Sequence, residues 1–140
     1  MTNNNMIILQ NKSNSGKTST LRELANILIS KTRKYKILEG NLNKGDFIIE
    51  IEYNSKKIII ISMGDTAKSL EKKYKEVWDK CENIDIIFGA CRTKGKTISE
   101  VKKQAVNHNF NIIWTSTYED EKNEKILNQK RAQELFNTFC

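Results

Sequence analysis

The sequence predicts an α/β protein in which a mostly parallel sheet of five to six strands is the middle layer of a three-layer sandwich. Short apolar runs of strand length alternate along the chain with longer segments whose apolar residues recur at helical spacing. Two β-rich runs on either side of residues 53–56 add one antiparallel hairpin. The length of 140 residues fits a single domain spanning residues 1–140.

The strands follow from runs of apolar and β-branched residues. Residues 6–10 and 84–90 are short and apolar, as buried strands of a parallel sheet are. Residues 110–115 predict a last strand, and residues 35–39 predict a short edge strand. In the hairpin, the first run alternates and predicts a half-exposed strand, whereas the second is solidly apolar over residues 58–61 and predicts a central one.

The helices follow from apolar residues spaced three and four positions apart. Residues 18–32, 66–81 and 121–139 each place such residues on one face. The segment Thr97-Ile98-Ser99-Glu100 matches a capping box, with a hydroxyl residue three positions before a glutamate. It predicts that a further helix begins there and runs to about residue 108.

The composition limits the class of protein. Hydrophobic residues make up 38% and charged residues 29%, which is typical of a globular chain. No apolar run reaches the ~18 residues of a membrane span, and the N-terminus lacks the basic flank and long apolar centre of a signal peptide. The three cysteines are widely spaced and there is one histidine, so we expect reduced thiols in a cytoplasmic protein rather than disulfides or a zinc site.

The charge of the chain allows an acidic partner without specifying one. The net charge of +7 is compatible with binding to a nucleotide or a nucleic acid. Lysines are spread over every segment of the sequence instead of forming a stripe, however, so charge alone does not predict a nucleic-acid interface. No feature of the sequence indicates an oligomeric state.

A phosphate-binding motif is the strongest functional signal. Residues 11–18, NKSNSGKT, match G-x-x-x-x-G-K-[ST] with Asn11 in place of the first glycine. They lie between the strand at residues 6–10 and a helix, so the loop N–H groups and the helix N-terminus can hold an anion. Lys17 would reach the β and γ phosphates, and the hydroxyl of Thr18 would ligate magnesium.

The other loop residues suit the same role. Ser13, Asn14 and Ser15 are small enough for the backbone to wrap around a phosphate, and Asn11 reaches a left-handed conformation more readily than most non-glycine residues. The remaining residues expected at the nucleotide are Gly16, Lys17, Thr18 and Ser19. On these residues the chain resembles the P-loop NTPase superfamily, which includes small nucleotide and polynucleotide kinases. The resemblance implies nucleotide binding with Mg²⁺.

A second triplet, Gly95-Lys96-Thr97, also lies between a predicted strand and a helix. Its loop, CRTK, is bulkier and already positive, so we interpret it as an accessory loop rather than a second phosphate cradle. Because the carboxyl ends of parallel strands face one crevice, it should lie beside the first loop. We therefore expect Arg92, Lys94 and Lys96 near the transferred phosphate, with Arg92 clamping its charge. Ordinary solvated charge explains Lys94 and Lys96 equally well.

Two aspartates are candidates for the rest of the site. In P-loop proteins a magnesium-linked carboxylate usually ends the strand beside the loop strand, and here that strand would be the one at residues 56–62. Asp65 follows it and could bind magnesium through water, activate a nucleophile, or simply cap the helix that starts at Thr66. Gly64 before it would free the backbone near a ligand. Asp46, before the hairpin, is a better candidate for a base than Glu50 or Glu52, which are expected on the exposed face of the strand.

The missing guanine signatures favour ATP over GTP. The one N-K-x-D match, Asn43-Lys44-Gly45-Asp46, lies before the hairpin rather than after a later strand, where that signature belongs, and residues 62–65 read Ser-Met-Gly-Asp instead of D-x-x-G. Three function classes remain open: phosphoryl transfer from ATP to a small nucleoside, nucleotide or polynucleotide acceptor; slow hydrolysis by a regulatory or partner-binding NTPase; and non-catalytic binding of phosphate or nucleic acid. The basic second loop favours the first class. Its expected catalytic residues are Lys17, Arg92, Asp65 and Asp46.

Overall fold

The computed structural model describes residues 4–11, 16–118 and 122–140, and these form six strands and four helices. In chain order the elements are β1 (Asn5–Gln10), α1 (Lys17–Ile29), β2 (Tyr35–Gly40), β3 (Phe47–Tyr53), β4 (Lys56–Ile61), α2 (Ala67–Lys80), β5 (Ile86–Cys91), α3 (Lys96–His108), β6 (Asn111–Thr115) and α4 (Glu124–Phe139). The α/β class and the order of elements predicted from the sequence are confirmed.

All six strands belong to one mixed sheet, in the order β2-β3-β4-β5-β1-β6. Among the described residues, β1 pairs in parallel with β5 and β6, and β4 pairs in parallel with β5. The pairings of β3 with β2 and with β4 are both antiparallel, so the predicted hairpin is extended by the edge strand β2. Five of the strands therefore point the same way and only β3 is reversed.

The position of β5 corrects one prediction. We expected β4 to lie beside the strand that leads into the phosphate-binding motif. Instead β5 is inserted between β1 and β4, with Cys91 opposite Gln10 at the carboxyl ends of the two strands. The segment after β5 is therefore the nearer neighbour of the end of β1, as expected for the second triplet, and the segment after β4 lies one strand further away.

The buried apolar residues form two clusters, one on each face of the sheet. Residues of α1 and α4 share the first cluster with β1, β3, β4 and β5, whereas residues of α2 and α3 share the second. The residues predicted for the buried face of α1 are all fully buried: Leu21, Leu24, Ala25 and Leu28. Alternation along the strands explains the division, since Ile7 belongs to the first cluster and Ile8 to the second.

The start of α3 differs from the predicted capping box. The N-cap is Gly95, with no side-chain cap hydrogen bond, and the helix begins at Lys96. Thr97 lies inside the first turn, and its Oγ1 accepts a hydrogen bond from the backbone N–H of Arg92 at 3.1 Å. Within the described ranges, no helix is both long enough and apolar enough to cross a membrane.

Candidate functional site

The start of α1 requires a glycine for two reasons. Gly16 is the N-cap of the helix and has a left-handed φ of 83°, a region that side chains with a Cβ rarely adopt. A Cβ at this position would also lie 2.7 Å from Oδ1 of Asn128 on α4. The Gly16 carbonyl accepts the first helical hydrogen bond, from the N–H of Thr20 at 2.9 Å. Gly16 therefore fixes the direction of the turn that presents Lys17 and Thr18.

Lys17 is nearly buried at the edge where β1 and β5 end. Only 6% of its surface is exposed, and its Nζ donates to the carbonyl oxygens of Asn11 at 2.7 Å and Cys91 at 3.2 Å. Burial lowers the pKa of Lys17 from its ordinary value, and the negative charge of Asp65 acts against this shift while the positive charge of Arg92 adds to it. A partly desolvated ammonium group in this position gains strongly from an anionic ligand.

Thr18 lies beside a small cluster of oxygen atoms. Its Oγ1 is 3.4 Å from Oδ1 of Asp46 and 3.3 Å from the carbonyl oxygen of Ser62. The hydroxyl of Ser62 donates to the same Asp46 oxygen at 3.2 Å and accepts from the backbone N–H of Phe47 at 2.8 Å. The loop before β3 and the end of β4 therefore both meet the first turn of α1.

Asp65 lies at the same cleft, and the alternative that it only caps a helix is wrong. The N-cap of α2 is Thr66, whose hydroxyl accepts from the N–H of Ser69 at 3.2 Å. Asp65 is exposed, and it lines a cleft of about 240 Å³. The described residues lining that cleft are Gly16, Lys17, Thr18, Ser19, Ser62, Gly64, Asp65 and Glu124.

Gly64 is explained by packing rather than by a nearby ligand. A Cβ at Gly64 would lie 2.4 Å from the carbonyl oxygen of Ala90, which belongs to the backbone of β5. The segment after β4 can therefore run close against β5 only with a glycine here. This close approach carries Asp65 toward the end of β1 even though β4 itself is not the neighbour of β1.

Asn11 has a structural contact that its motif position does not predict. Its Nδ2 donates to Oγ1 of Thr117 at 3.1 Å, and its backbone N–H donates to the Cys91 carbonyl at 3.2 Å. These bonds join the ends of β1, β5 and the segment after β6. Three further predicted loop residues, Ser13, Asn14 and Ser15, lie outside the described residues.

The basic residues of the second loop, which follows β5, are exposed. Arg92 follows β5 directly, and its positive charge acts on Lys17. Lys94 is exposed in the loop, and Lys96 is the exposed first residue of α3. None of the three is among the described residues that line the cleft, so the phosphate contacts expected of Arg92, Lys94 and Lys96 stay predictions.

Three side chains that the sequence did not identify support the cleft. Arg22 on α1 donates to the Gly45 carbonyl and thereby holds the loop that carries Asp46. Glu124 and Asn128 come from α4, because that helix packs along α1. No motif could have identified these three, since their positions depend on which elements pack together.

The cysteines are not candidates for covalent chemistry near neutral pH. All three are free, and burial raises the pKa of Cys81, Cys91 and Cys140 to about 11 in each case. Cys91 is the one at the site, and its Sγ donates to the Arg92 carbonyl at 3.3 Å. Its thiol therefore remains protonated and engaged in the fold.

The side chains around Thr18 have the chemistry that Mg²⁺ prefers. In the described part of the chain, no group of three or more His, Cys, Asp or Glu is placed to hold a metal alone. The carboxylates of Asp46 and Asp65, with the hydroxyl of Thr18, supply oxygen donors instead. Magnesium is usually held by one or two carboxylates together with substrate phosphates and water, so this donor set fits the ion.

Comparisons with protein-family models, with curated proteins and with solved structures find no match. The resemblance to the P-loop NTPases therefore depends on residues 11–18 and on their surroundings. Three features of these surroundings bear on the resemblance: the helix start at Gly16, the nearly buried Lys17 and the carboxylate of Asp46 beside Thr18.

Proposed function

We propose that this protein binds ATP with Mg²⁺ in the cleft at the start of α1 and catalyses phosphoryl transfer from it. The observation that carries the proposal is the pairing of Lys17 and Thr18 on the first turn of α1. One is a nearly buried cation and the other a hydroxyl beside Asp46. A strand, a loop, a left-handed glycine and a helix N-terminus in this order are the parts of a phosphate cradle.

The proposed fold is a three-layer sandwich of the P-loop type. Two helices pack in the cluster on one face of the sheet and two in the cluster on the other, which supports this arrangement. The phosphate-binding motif follows β1, and β5 lies beside that strand in the sheet. A ligand at the carboxyl ends of β1 and β5 is therefore within reach of the segments after both strands.

Each proposed catalytic residue acts on charge or on a proton. Lys17 binds the β and γ phosphates, and Arg92 neutralises charge that develops on the transferred phosphoryl group. Asp65 is exposed at the cleft and orients the attacking nucleophile, accepting its proton.

One oxygen of Asp46 accepts hydrogen bonds from the hydroxyl groups of Thr18 and Ser62. This position favours a place for Asp46 in the magnesium site over the role of base. Magnesium would be held by Thr18 and Asp46 and would supply positive charge that offsets the charge of the phosphates.

The exposure of Asp65 favours a second candidate, the hydrolysis of ATP by water. An exposed carboxylate at the cleft can orient a water molecule as readily as an acceptor hydroxyl. The two functions share the nucleotide, the metal and all the proposed residues. They differ only in where the γ-phosphate goes.

Product analysis with γ-labelled ATP tests the proposal. The protein is incubated with Mg²⁺ and nucleosides, nucleotides or 5′-hydroxyl oligonucleotides, and label on the acceptor is separated from free phosphate. We expect Mg²⁺-dependent turnover that Arg92→Ala slows by about 10³-fold or more. Lys72→Ala, which removes an exposed cation on α2 outside the cleft, is the control and should leave the rate unchanged. Absence of any Mg²⁺-dependent turnover in the wild type would refute phosphoryl transfer.

A further inference from the structure

A groove larger than the nucleotide cleft lies at the opposite end of the sheet from it. It has a volume of about 580 Å³. Its lining comes from the segment after α1, the β3–β4 turn and the segment before β5: Lys31, Thr32, Lys34, Glu52, Tyr53, Asn54, Ser55, Lys56, Lys57, Asn83 and Asp85. We call this surface the basic groove. A smaller groove that shares Lys34 and Glu52 continues it past Tyr35 and Lys36.

We propose that the basic groove binds a single strand of nucleic acid. The fold brings the lysines of residues 31–36 beside those at residues 56–57, and neither segment alone forms the groove. Five lysines line the groove and its continuation, against the carboxylates of Glu50, Glu52 and Asp85. A positively charged groove that follows a phosphate backbone is the common feature of proteins that bind single strands.

The carboxylates in the groove are partly engaged in the fold, whereas several lysines are not. Asp85 accepts the backbone N–H of Lys57 at 2.8 Å, and Glu50 pairs with the Lys57 ammonium group at 3.2 Å. Lys34 and Lys56 are exposed and form no ion pair with another residue of the described ranges. Glu52 is exposed and likewise forms no ion pair within the described ranges, so the unpaired lysines leave an excess of positive charge on the solvent side, where phosphates would run.

An exposed aromatic side chain distinguishes a nucleic acid from other polyanions. Tyr35 on the edge strand β2 is 46% exposed and lies between Lys34 and Lys36. A base can stack on such a ring while Lys56, which lies on the same face of the sheet, holds a neighbouring phosphate, an arrangement that an acidic peptide does not need. The exposed Arg33 adds a further cation next to Lys34.

The groove is built on fixed backbone. The β3–β4 turn has two consecutive left-handed residues, Asn54 with φ 53° and Ser55 with φ 61°, as a tight hairpin turn of type I′ requires. The Lys57 ammonium group also donates to the Glu82 carbonyl at 2.7 Å, which ties the turn to the segment before β5. Binding there would therefore cost little ordering of the protein.

The groove is separate from the nucleotide cleft. Strand β4 begins at the groove with Lys56 and ends next to Ser62 in the cleft, so the two surfaces are about 20 Å apart at the ~3.3 Å rise of a strand. A nucleic acid in the groove and a nucleotide in the cleft could be bound together. The inference does not depend on the proposed phosphoryl transfer.

Fluorescence anisotropy with labelled oligonucleotides of about 12 nucleotides, one of deoxythymidine and one of uridine, tests the proposal. The wild type should bind at about 50 mM salt, and its affinity should fall as salt rises. The double variant Lys34→Ala/Lys56→Ala should bind at least tenfold more weakly, with a salt slope reduced by about 1.4, because two phosphate contacts are lost. Tyr35→Ala should also weaken binding by about tenfold without changing the salt slope.

Two charge-matched variants serve as controls. Lys72→Ala/Lys75→Ala removes the same charge from the exposed surface of α2 and should bind as the wild type does. Arg92→Ala/Lys96→Ala removes it beside the nucleotide cleft and tests the location, since a strand held by the groove should bind this variant more tightly than Lys34→Ala/Lys56→Ala. No binding by the wild type would overturn the proposal. So would an equal loss in all three double variants, or a loss confined to Arg92→Ala/Lys96→Ala, since the strand would then respond to overall charge or lie in the cleft.

Discussion

At the scale of single residues, several side chains have environments that their types alone do not indicate. Lysine is abundant in this chain and most often exposed, but Lys17 is nearly buried and donates to two backbone carbonyl groups. Gly64 looks like a flexible residue in the sequence but marks a close approach to β5. In both cases a neighbouring strand, β5, creates the environment.

The shifted Lys17 predicts how ATP affinity depends on pH. Burial lowers the pKa of Lys17 in the free protein, and bound phosphates would raise it again by favouring the charged form. The affinity for ATP should therefore be greatest below the lowered pKa of Lys17 in the free protein and should fall as the pH rises through that pKa. Near and above that pKa, Lys17 should take up a proton when ATP binds. Calorimetry in two buffers of different ionisation enthalpy measures that uptake. Lys17→Arg, which stays charged at these pH values, should show none, and a flat wild-type profile without proton uptake would contradict the account.

The close approach at Gly64 predicts a loss of stability on substitution. Gly64→Ala places a Cβ 2.4 Å from the Ala90 carbonyl oxygen, so the segment must shift, which should lower the free energy of unfolding by about 1–3 kcal/mol. Gly45→Ala is the control, because a Cβ there meets no atom within 4 Å and only its left-handed φ is strained. Urea titrations of both variants provide the comparison. Equal stability of Gly64→Ala and the wild type would show that this approach does not constrain the fold.

At the scale of elements, α4 completes a site that the motif on α1 only begins. Asn128 on α4 is buried and its Oδ1 accepts from the Thr20 hydroxyl at 3.2 Å, close to Gly16. The helix boundaries show the same dependence on neighbours. The hydroxyl of Thr97 bonds to the segment after β5 instead of capping α3, because the N-cap is Gly95, two residues before the N-cap that the local sequence predicts.

The contact between α1 and α4 predicts the effect of a substitution at Asn128. Asn128→Leu removes the acceptor for the buried Thr20 hydroxyl, and an unpaired buried polar group costs about 1–3 kcal/mol of unfolding free energy. It should also weaken ATP binding, since Gly16 lies against the same side chain. Asn137→Leu makes the same change at an exposed position of α4 and should cost less than about 0.5 kcal/mol. Matching losses in the two variants would mean that the buried contact contributes nothing.

At the scale of the whole molecule, local patterns predict the elements but not all of their neighbours. Apolar runs, helical spacing and one capping-box pattern predicted the strands and helices of the described residues, because such patterns are properties of contiguous residues. The insertion of β5 between β1 and β4 is a property of the whole sheet, and no local pattern encodes it. The motif at residues 11–18 likewise predicted the start of the cleft at Lys17 and Thr18. Glu124 and the basic groove depend on segments that meet only in the folded chain.

The central claim is that Lys17 holds the phosphates of a nucleotide at the end of β1. Calorimetric titration of ATP with Mg²⁺ into the wild type, Lys17→Ala and Lys96→Ala tests it most directly, with circular dichroism to establish that each variant is folded. Lys96 offers a matched control, because it occupies the same position in the second glycine-lysine-threonine triplet and is exposed. We predict that folded Lys17→Ala binds ATP at least tenfold more weakly than the wild type, and that Lys96→Ala, whose side chain is exposed and outside the cleft lining, loses less affinity than Lys17→Ala. No binding of ATP by the wild type, or a loss confined to Lys96→Ala, would contradict the claim.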